Sequence, residues 1–268
     1  MHEVARLQEH LRELGRVLLG YSGGVDSALL AVVASQALGS DRFLAVIGRS
    51  ASYPEAQYRS ALDVARRFRI PIREVSTLEL QDPRYAANPV NRCYFCKQEL
   101  WSRLSGLAVA EGYDTLIDGT NADDGLEHRP GLAAGAEWRV RSPLAELGFG
   151  KALIRKAARA LGLPIWDAPA SPCLSSRIRY GVEVTPDRLR QIESGEALLR
   201  ELGMTGDLRV RHLGDRARIE VLPQHFSRLA ERWDAIVTGF AALGFAAVDR
   251  DPAGYRRGSL LVLESGSV

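Results

Sequence analysis

Arg16-Val17-Leu18-Leu19-Gly20-Tyr21-Ser22-Gly23-Gly24-Val25-Asp26-Ser27-Ala28-Leu29-Leu30-Ala31-Val32-Val33 decides the fold of this chain. Val17–Tyr21 is a short apolar run that reads as a buried strand, and Asp26–Leu38 reads as a helix. Between them lies a glycine turn carrying two hydroxyls and a carboxylate. Gly23 and Gly24 let the backbone approach an anion closely, with adjacent N–H groups pointing into one concavity. The helix N-terminus beneath adds partial positive charge. Such a turn is a phosphate cradle. Ser22 and Ser27 can donate hydroxyl hydrogen bonds, and Asp26 is placed to cap the helix or hold Mg²⁺. The common triphosphate loop, G-x-x-x-x-G-K-S/T, needs a lysine that this stretch lacks.

The surrounding chain alternates strand and helix signals. Phe43–Ile47 reads as a second strand, and residues 54–68 as an amphipathic helix with Pro54 in its first turn. A third strand follows at Ile72–Val75, then a helix from about Cys93 to Glu111 and a fourth strand at Thr115–Asp118. Alternation of this kind predicts an α/β fold, a parallel sheet covered by helices on both faces. Ligands of such sheets sit beyond the carboxyl ends of the strands, where strand order reverses. A further helix is expected at Lys151–Leu161 and a Pro-rich loop at 164–172. Thr185 and Pro186 mark the start of a helix reaching about Leu202. Leu208–Leu213 and Ala217–Val221 read as a hairpin around Gly214-Asp215, followed by a helix and strands near Phe245–Val248 and Ser259–Leu263. Two domains are expected: residues 1–180 for the phosphate-loop domain and 181–268 for a small α+β domain.

Bulk properties narrow the class. The 268 residues suffice for a full core. A net charge of +2 does not suggest a nucleic-acid binder, although arginines gather late in the chain. Met1-His2-Glu3-Val4-Ala5-Arg6 shows no apolar stretch of the secretory kind, and no apolar run reaches membrane-spanning length. A cytoplasmic location is expected. In a reducing compartment the 3 cysteines would serve chemistry or metal binding rather than disulfides.

Cys93 and Cys96 stand three apart at a helix start, and Cys173 lies far off in Ser171-Pro172-Cys173-Leu174-Ser175-Ser176-Arg177. Structural zinc wants four ligands, and no second pair exists. Three thiolates with an open fourth position suit a [4Fe–4S] cluster whose unique iron can take an external ligand. A zinc site and three buried thiols acting as small hydrophobes are the other readings.

Ser22-Gly23-Gly24-Val25-Asp26-Ser27 resembles the signature of the PP-loop ATP pyrophosphatases, which cleave ATP between the α- and β-phosphates. With Arg92-Cys93-Tyr94-Phe95-Cys96-Lys97, Asp118-Gly119-Thr120-Asn121-Ala122-Asp123-Asp124, Ser142-Pro143-Leu144, the Cys173 segment and Gly254-Tyr255-Arg256-Arg257-Gly258-Ser259, nearly the whole chain resembles the LarE family. The resemblance implies a PP-loop fold and an ATP-dependent sulfur insertase. Its expected substrate is pyridinium-3,5-biscarboxylic acid mononucleotide, adenylated on a carboxylate and converted to a thiocarboxylate for the nickel-pincer nucleotide of lactate racemase. It also implies a homo-oligomer assembled through the small domain, and leaves the sulfide donor unnamed.

The resemblance and the residue types together give the candidate site. Ser22, Gly23, Gly24, Asp26 and Ser27 would hold pyrophosphate, with Asp26 and Asp123 as Mg²⁺ ligands. Lys97, Asn121, Asp123 and Arg129 are expected near ATP. Arg177, Glu196, Arg209, Arg211 and Arg256 are expected near the substrate, though Glu196 shares its helix with Glu193 and reads equally as a solvated acidic face. Alternation puts Arg209 and Arg211 on one side of a strand, where guanidinium groups could receive a nucleotide phosphate or form a solvated sheet face. Cys93, Cys96 and Cys173 would carry the cluster. Members with one cysteine, matching Cys173, sacrifice its sulfur instead. A PP-loop tRNA thiolase, an amide synthetase of the NAD synthetase kind and a nucleotide-sensing module are the competing functions.

Overall fold

The computed structural model describes residues 2–126 and 130–256. They form two compact units: residues 2–82 with 91–126 and 130–171, and residues 83–90 with 172–256. No helix among the described residues is long and apolar enough to cross a membrane.

The first unit runs α1 (His2–Glu13), β1 (Val17–Gly20), α2 (Val25–Leu38), β2 (Phe43–Arg49), α3 (Glu55–Arg67) and β3 (Ile72–Ser76). After the short α4 (Pro83–Ala86), which belongs to the second unit, it resumes with α5 (Arg92–Glu111) and β4 (Thr115–Ile117). It closes with α6 (Pro130–Glu137), α7 (Pro143–Glu146) and α8 (Lys151–Ala160). The four strands are parallel, in the order β3-β2-β1-β4. Strand order therefore reverses at β1, directly under the glycine turn.

Burial explains the strand sequences. β1 is paired on both edges and covered on both faces, so its residues Val17, Leu18 and Leu19 are wholly buried. Val17 and Leu19 pack with α1 and α2, whereas Leu18 packs with Trp101 and Leu104 of α5. β3, at the sheet edge, is half-exposed and correspondingly polar. α2 lies in the core on every side, from Ala28 through Ala34, which is why it has no polar face.

The second unit contains α4, α9 (Pro186–Glu201), β5 (Leu208–His212), β6 (Arg216–Val221), α10 (Phe226–Glu231), α11 (Trp233–Ala242) and β7 (Ala247–Arg250). β5 and β6 form the expected antiparallel hairpin, with Gly214 at φ 110° in its turn. β7 pairs parallel to β6. The Thr185 hydroxyl accepts from the Arg188 N–H at 3.3 Å and caps α9, with Pro186 in its first turn. Leu199, Leu208, Val210, Ile219 and Phe240 are the centre of a separate core.

Three local expectations change. The single helix after the hairpin is two short helices, and the following strand begins two residues later, at Ala247. Asp26 does not cap α2: Gly24 occupies the N-cap position with no side-chain bond. The strand expected at Ser259–Leu263 lies outside the described residues.

Candidate active site

The glycine turn is held from below. Gly23 sits at φ 71°, in the left-handed region, and a Cβ there would come within 2.6 Å of the Ala61 Cβ. The Ser22 carbonyl accepts two hydrogen bonds, from the Tyr53 hydroxyl at 2.9 Å and from the Gln57 amide at 2.6 Å. The Ser22 and Ser27 hydroxyls lie 3.1 Å apart, and Ser27 donates to the Gly24 carbonyl at 3.1 Å. Both hydroxyls thus belong to the same turn as the glycine N–H groups.

The loop after β4 supplies the opposite wall. A Cβ at Gly119 would come within 2.9 Å of the Ser27 backbone, so this glycine lets the β4 loop reach the loop after β1. Asn121 is fully buried: its Nδ2 donates to Asp124 at 2.7 Å and to Asp26 at 3.3 Å. Its Oδ1 accepts from the Asp123 N–H at 3.0 Å. Asn121 therefore touches both expected carboxylate residues, Asp123 through an Asx turn and Asp26 through its amide.

Lys151 is the residue that sequence reasoning missed. Its ammonium pairs with Asp26, and its backbone N–H donates to Asp123 at 2.7 Å. One residue thereby joins the two carboxylates. A cation in the first turn of a helix opposes the helix dipole, and that misplacement was the available signal. Asp26 keeps one oxygen, Oδ1, buried with no partner among the described residues.

The other candidates divide between the units. Lys97 lies over the Trp101 ring at 5.3 Å. Cys93 is exposed and Cys96 half-buried, one turn apart at the start of α5. Half-buried Cys173 belongs to the second unit, at the N-cap of a short 3-10 turn over Leu174–Arg177. Among the described residues no group of three or more His, Cys, Asp or Glu side chains is gathered to hold a metal ion. Arg129 and Arg257 lie outside the described residues.

In the second unit Arg177 is 3% exposed and pairs with Glu196 at 2.9 Å. Its Nη1 donates to the carbonyls of Pro172 at 2.5 Å and Cys173 at 3.0 Å, so this guanidinium shapes the turn that carries the thiol. Arg211 makes two bonds to one oxygen of fully buried Glu220, at 3.0 and 2.8 Å, and a third to the Ser176 carbonyl at 3.2 Å. Arg209 lies over the Tyr255 ring at 5.1 Å. Burial, and then the Arg177 cation, pushes the Arg209 pKa below its usual value. Arg209 and Arg211 share a side of β5 as their alternation requires, but that side is buried rather than solvated. Glu196 is buried too, in its ion pair, and is no solvated acidic face. Arg256 is exposed, 3.5 Å from Asp251.

A model of the NAD synthase family matches residues 3–103. An uncharacterized protein of Synechocystis sp. is 42% identical over 260 residues, 96% of each chain. The pyridinium-3,5-bisthiocarboxylic acid mononucleotide synthase of Lactiplantibacillus plantarum is 33% identical over 256 residues, 96% of this chain and 92% of its own. The chain belongs to the LarE family. A glutamine-hydrolyzing GMP synthase polypeptide of Pyrococcus furiosus is more distant, 26% identical over 73% of this chain and 68% of its own. This LarE-family chain is an ATP-using, adenylating enzyme. In it the Ser22–Ser27 turn and the Asn121–Lys151 network stand together at the carboxyl edge of one parallel sheet.

Proposed function

We propose that this protein adenylates a carboxylate of pyridinium-3,5-biscarboxylic acid mononucleotide and replaces a carboxylate oxygen with sulfur, toward the nickel-pincer nucleotide. The observation that carries the reading is the 33% identity over 96% of the chain to the synthase named for the bisthiocarboxylic product. The chemistry agrees. A carboxylate accepts no sulfur nucleophile until one oxygen becomes a good leaving group. Attack of that oxygen on the α-phosphorus of ATP forms the acyl-adenylate and breaks the bond to the β-phosphate oxygen. Pyrophosphate leaves with the electron pair.

This chain's groups act on that departure. The Gly23 and Gly24 N–H groups with the Ser22 and Ser27 hydroxyls receive the pyrophosphate oxygens. Lys151, half-exposed beside Asp26, can turn from the carboxylate to the developing negative charge. Asp26 and Asp123 fit Mg²⁺, because Asp26 Oδ1 is a buried acceptor with no donor or cation among the described residues. Magnesium held there would neutralise phosphate charge. Arg177 fixes the Cys173 turn through two carbonyls.

By residue type the three thiols suit a [4Fe–4S] cluster with an open iron: Cys93 and Cys96 lie one helical turn apart in the first unit, and Cys173 is the third thiol. Cys93, Cys96 and Cys173 would hold it, and when bound it supplies an exchangeable sulfide. In the test, anaerobically purified protein receives ATP, Mg²⁺ and the pyridinium dicarboxylate nucleotide. Pyrophosphate release together with a product in which sulfur replaces oxygen is the expected result. Iron and acid-labile sulfide, lost on replacing any one cysteine, support the cluster. Removal of one sulfur and two hydrogens from Cys173 identifies its own thiol as the source. Absence of pyrophosphate release with this nucleotide overturns the proposal.

A further inference from the structure

Glu79, in the turn after β3, is a carboxylate only 2% exposed. One oxygen, Oε1, accepts the Ser50 hydroxyl at 2.5 Å and the Ser52 hydroxyl at 3.0 Å. The Ser52 N–H returns to the Ser50 hydroxyl at 3.2 Å, and the Tyr53 N–H closes the turn on the Ser50 carbonyl at 3.1 Å. Residues 50–53, the loop after β2, are therefore tied to one buried carboxylate oxygen. The other oxygen, Oε2, is buried with no partner among the described residues.

Tyr53 carries this loop's position across to the phosphate turn, where its hydroxyl donates to the Ser22 carbonyl at 2.9 Å. The Tyr53 phenol is protonated and a donor at neutral pH, and burial raises its pKa further. The Ser22–Gly23 peptide is trans, so its N–H points opposite to its carbonyl. A carbonyl fixed on Tyr53 and Gln57 therefore aims the Gly23 N–H the other way, into the concavity. We propose that Glu79 is a positioning residue for the ATP loop, acting through Ser50, Ser52 and Tyr53 on the Ser22–Gly23 peptide. This rests on the reading of Ser22–Ser27 as the ATP-binding turn.

The experiment measures ATP affinity by calorimetry, with pyrophosphate release and thermal stability, on the full chain. Tyr53→Phe removes one hydrogen bond and should weaken ATP binding about fivefold. Glu79→Leu and Ser52→Ala should weaken it by similar or larger factors while the saturated rate changes less than about twofold. Glu79→Gln keeps a carbonyl acceptor for both serines and should restore affinity. Glu79→Leu combined with Tyr53→Phe should be no weaker than Glu79→Leu alone, because both act through one contact. Additive losses overturn the proposal. So does Ser52→Ala or Glu79→Leu protein that binds ATP normally but melts earlier, and Ser52→Ala decides the matter if Glu79→Leu does not fold. Failure of the unaltered chain to bind ATP would instead overturn the reading of the turn.

Discussion

Each unit carries an acid–base pair, and the two pairs are built differently. In the first unit Lys151 and Asp26 meet with side chains 45% and 18% exposed, and one Asp26 oxygen has no partner among the described residues. In the second, Arg211 and Glu220 are 7% and 0% exposed. The first pair can exchange partners at little cost, because water already solvates the ammonium. The second cannot open without stranding a charge. The comparison separates a pair suited to ligand exchange from one that fixes a strand pair in register.

The sharpest way to break this contrast is Glu220→Ala. It leaves the Arg211 guanidinium buried beside Arg218, its cross-strand neighbour in the register. Losing one partner of a buried pair costs about 3–5 kcal/mol. Urea unfolding or hydrogen exchange in β5 and β6 should show a loss of that size. Replacing both members, Arg211→Met with Glu220→Leu, should recover much of it. A cost below about 1 kcal/mol for Glu220→Ala, the range of exposed pairs, would place this pair in the same class as Lys151–Asp26.

Asp26→Asn tests the other side. Stability should change by less than about 1 kcal/mol, since Lys151 can turn to solvent. Pyrophosphate release should fall by about 10²–10³-fold, the usual effect of removing one electrostatic group that acts on developing charge. A melting transition displaced with activity retained would show that Asp26 is structural.

What could be read without coordinates follows from the range of the interactions. The strand, glycine turn and helix from Val17 to Leu38 were legible because an apolar run, two glycines and a second apolar run all act locally. The same holds for Thr185-Pro186, where capping involves three residues. Arg209 and Arg211 were legible as a pair on one side of a strand, but not as buried. Arg211 is buried against Glu220, which reaches it diagonally across the hairpin, and Arg209 against the Tyr255 ring. Lys151 was marked only by its place in the first turn of a helix, and nothing local named its partner, because Asp26 is 125 residues away. Tyr53 and Gln57 carry no motif, since the atom they hold is a backbone carbonyl. Asn88, at φ 56° and wholly buried, donates to the carbonyls of Arg179 and Val182, more than 90 residues later. Such contacts are set by topology, which local pattern does not encode.

The smallest predicted effect contrasts the two units in acid. His212, on β5, is 2% exposed and packs against Phe245, with ring centroids 5.0 Å apart. Its Nε2 meets the Gln191 Oε1 at 2.9 Å, and its Nδ1 is buried with no partner among the described residues. Burial first, then the Arg188 cation, lowers its pKa to about 4. Native His212 is therefore neutral through the range in which an unfolded histidine, with a pKa of about 6.5, takes up a proton. Below that value the unfolded chain binds more protons than the native one, so stability falls as pH falls from about 6.5 to about 4 and then levels off. Over that whole range the loss should be on the order of 3 kcal/mol. In the first unit the corresponding group is Glu146, held by Arg141 and His10 with its pKa lowered to about 2. Its contribution is intact above the ordinary glutamate range of about 4.3 and disappears only as pH falls toward about 2. Hydrogen exchange followed by mass spectrometry at pH 7 and pH 5 should thus show β5 and β6 losing protection while β1 and α2 keep theirs. His212→Gln should remove that difference, and equal loosening of the two units at pH 5 would show that His212 is not its origin.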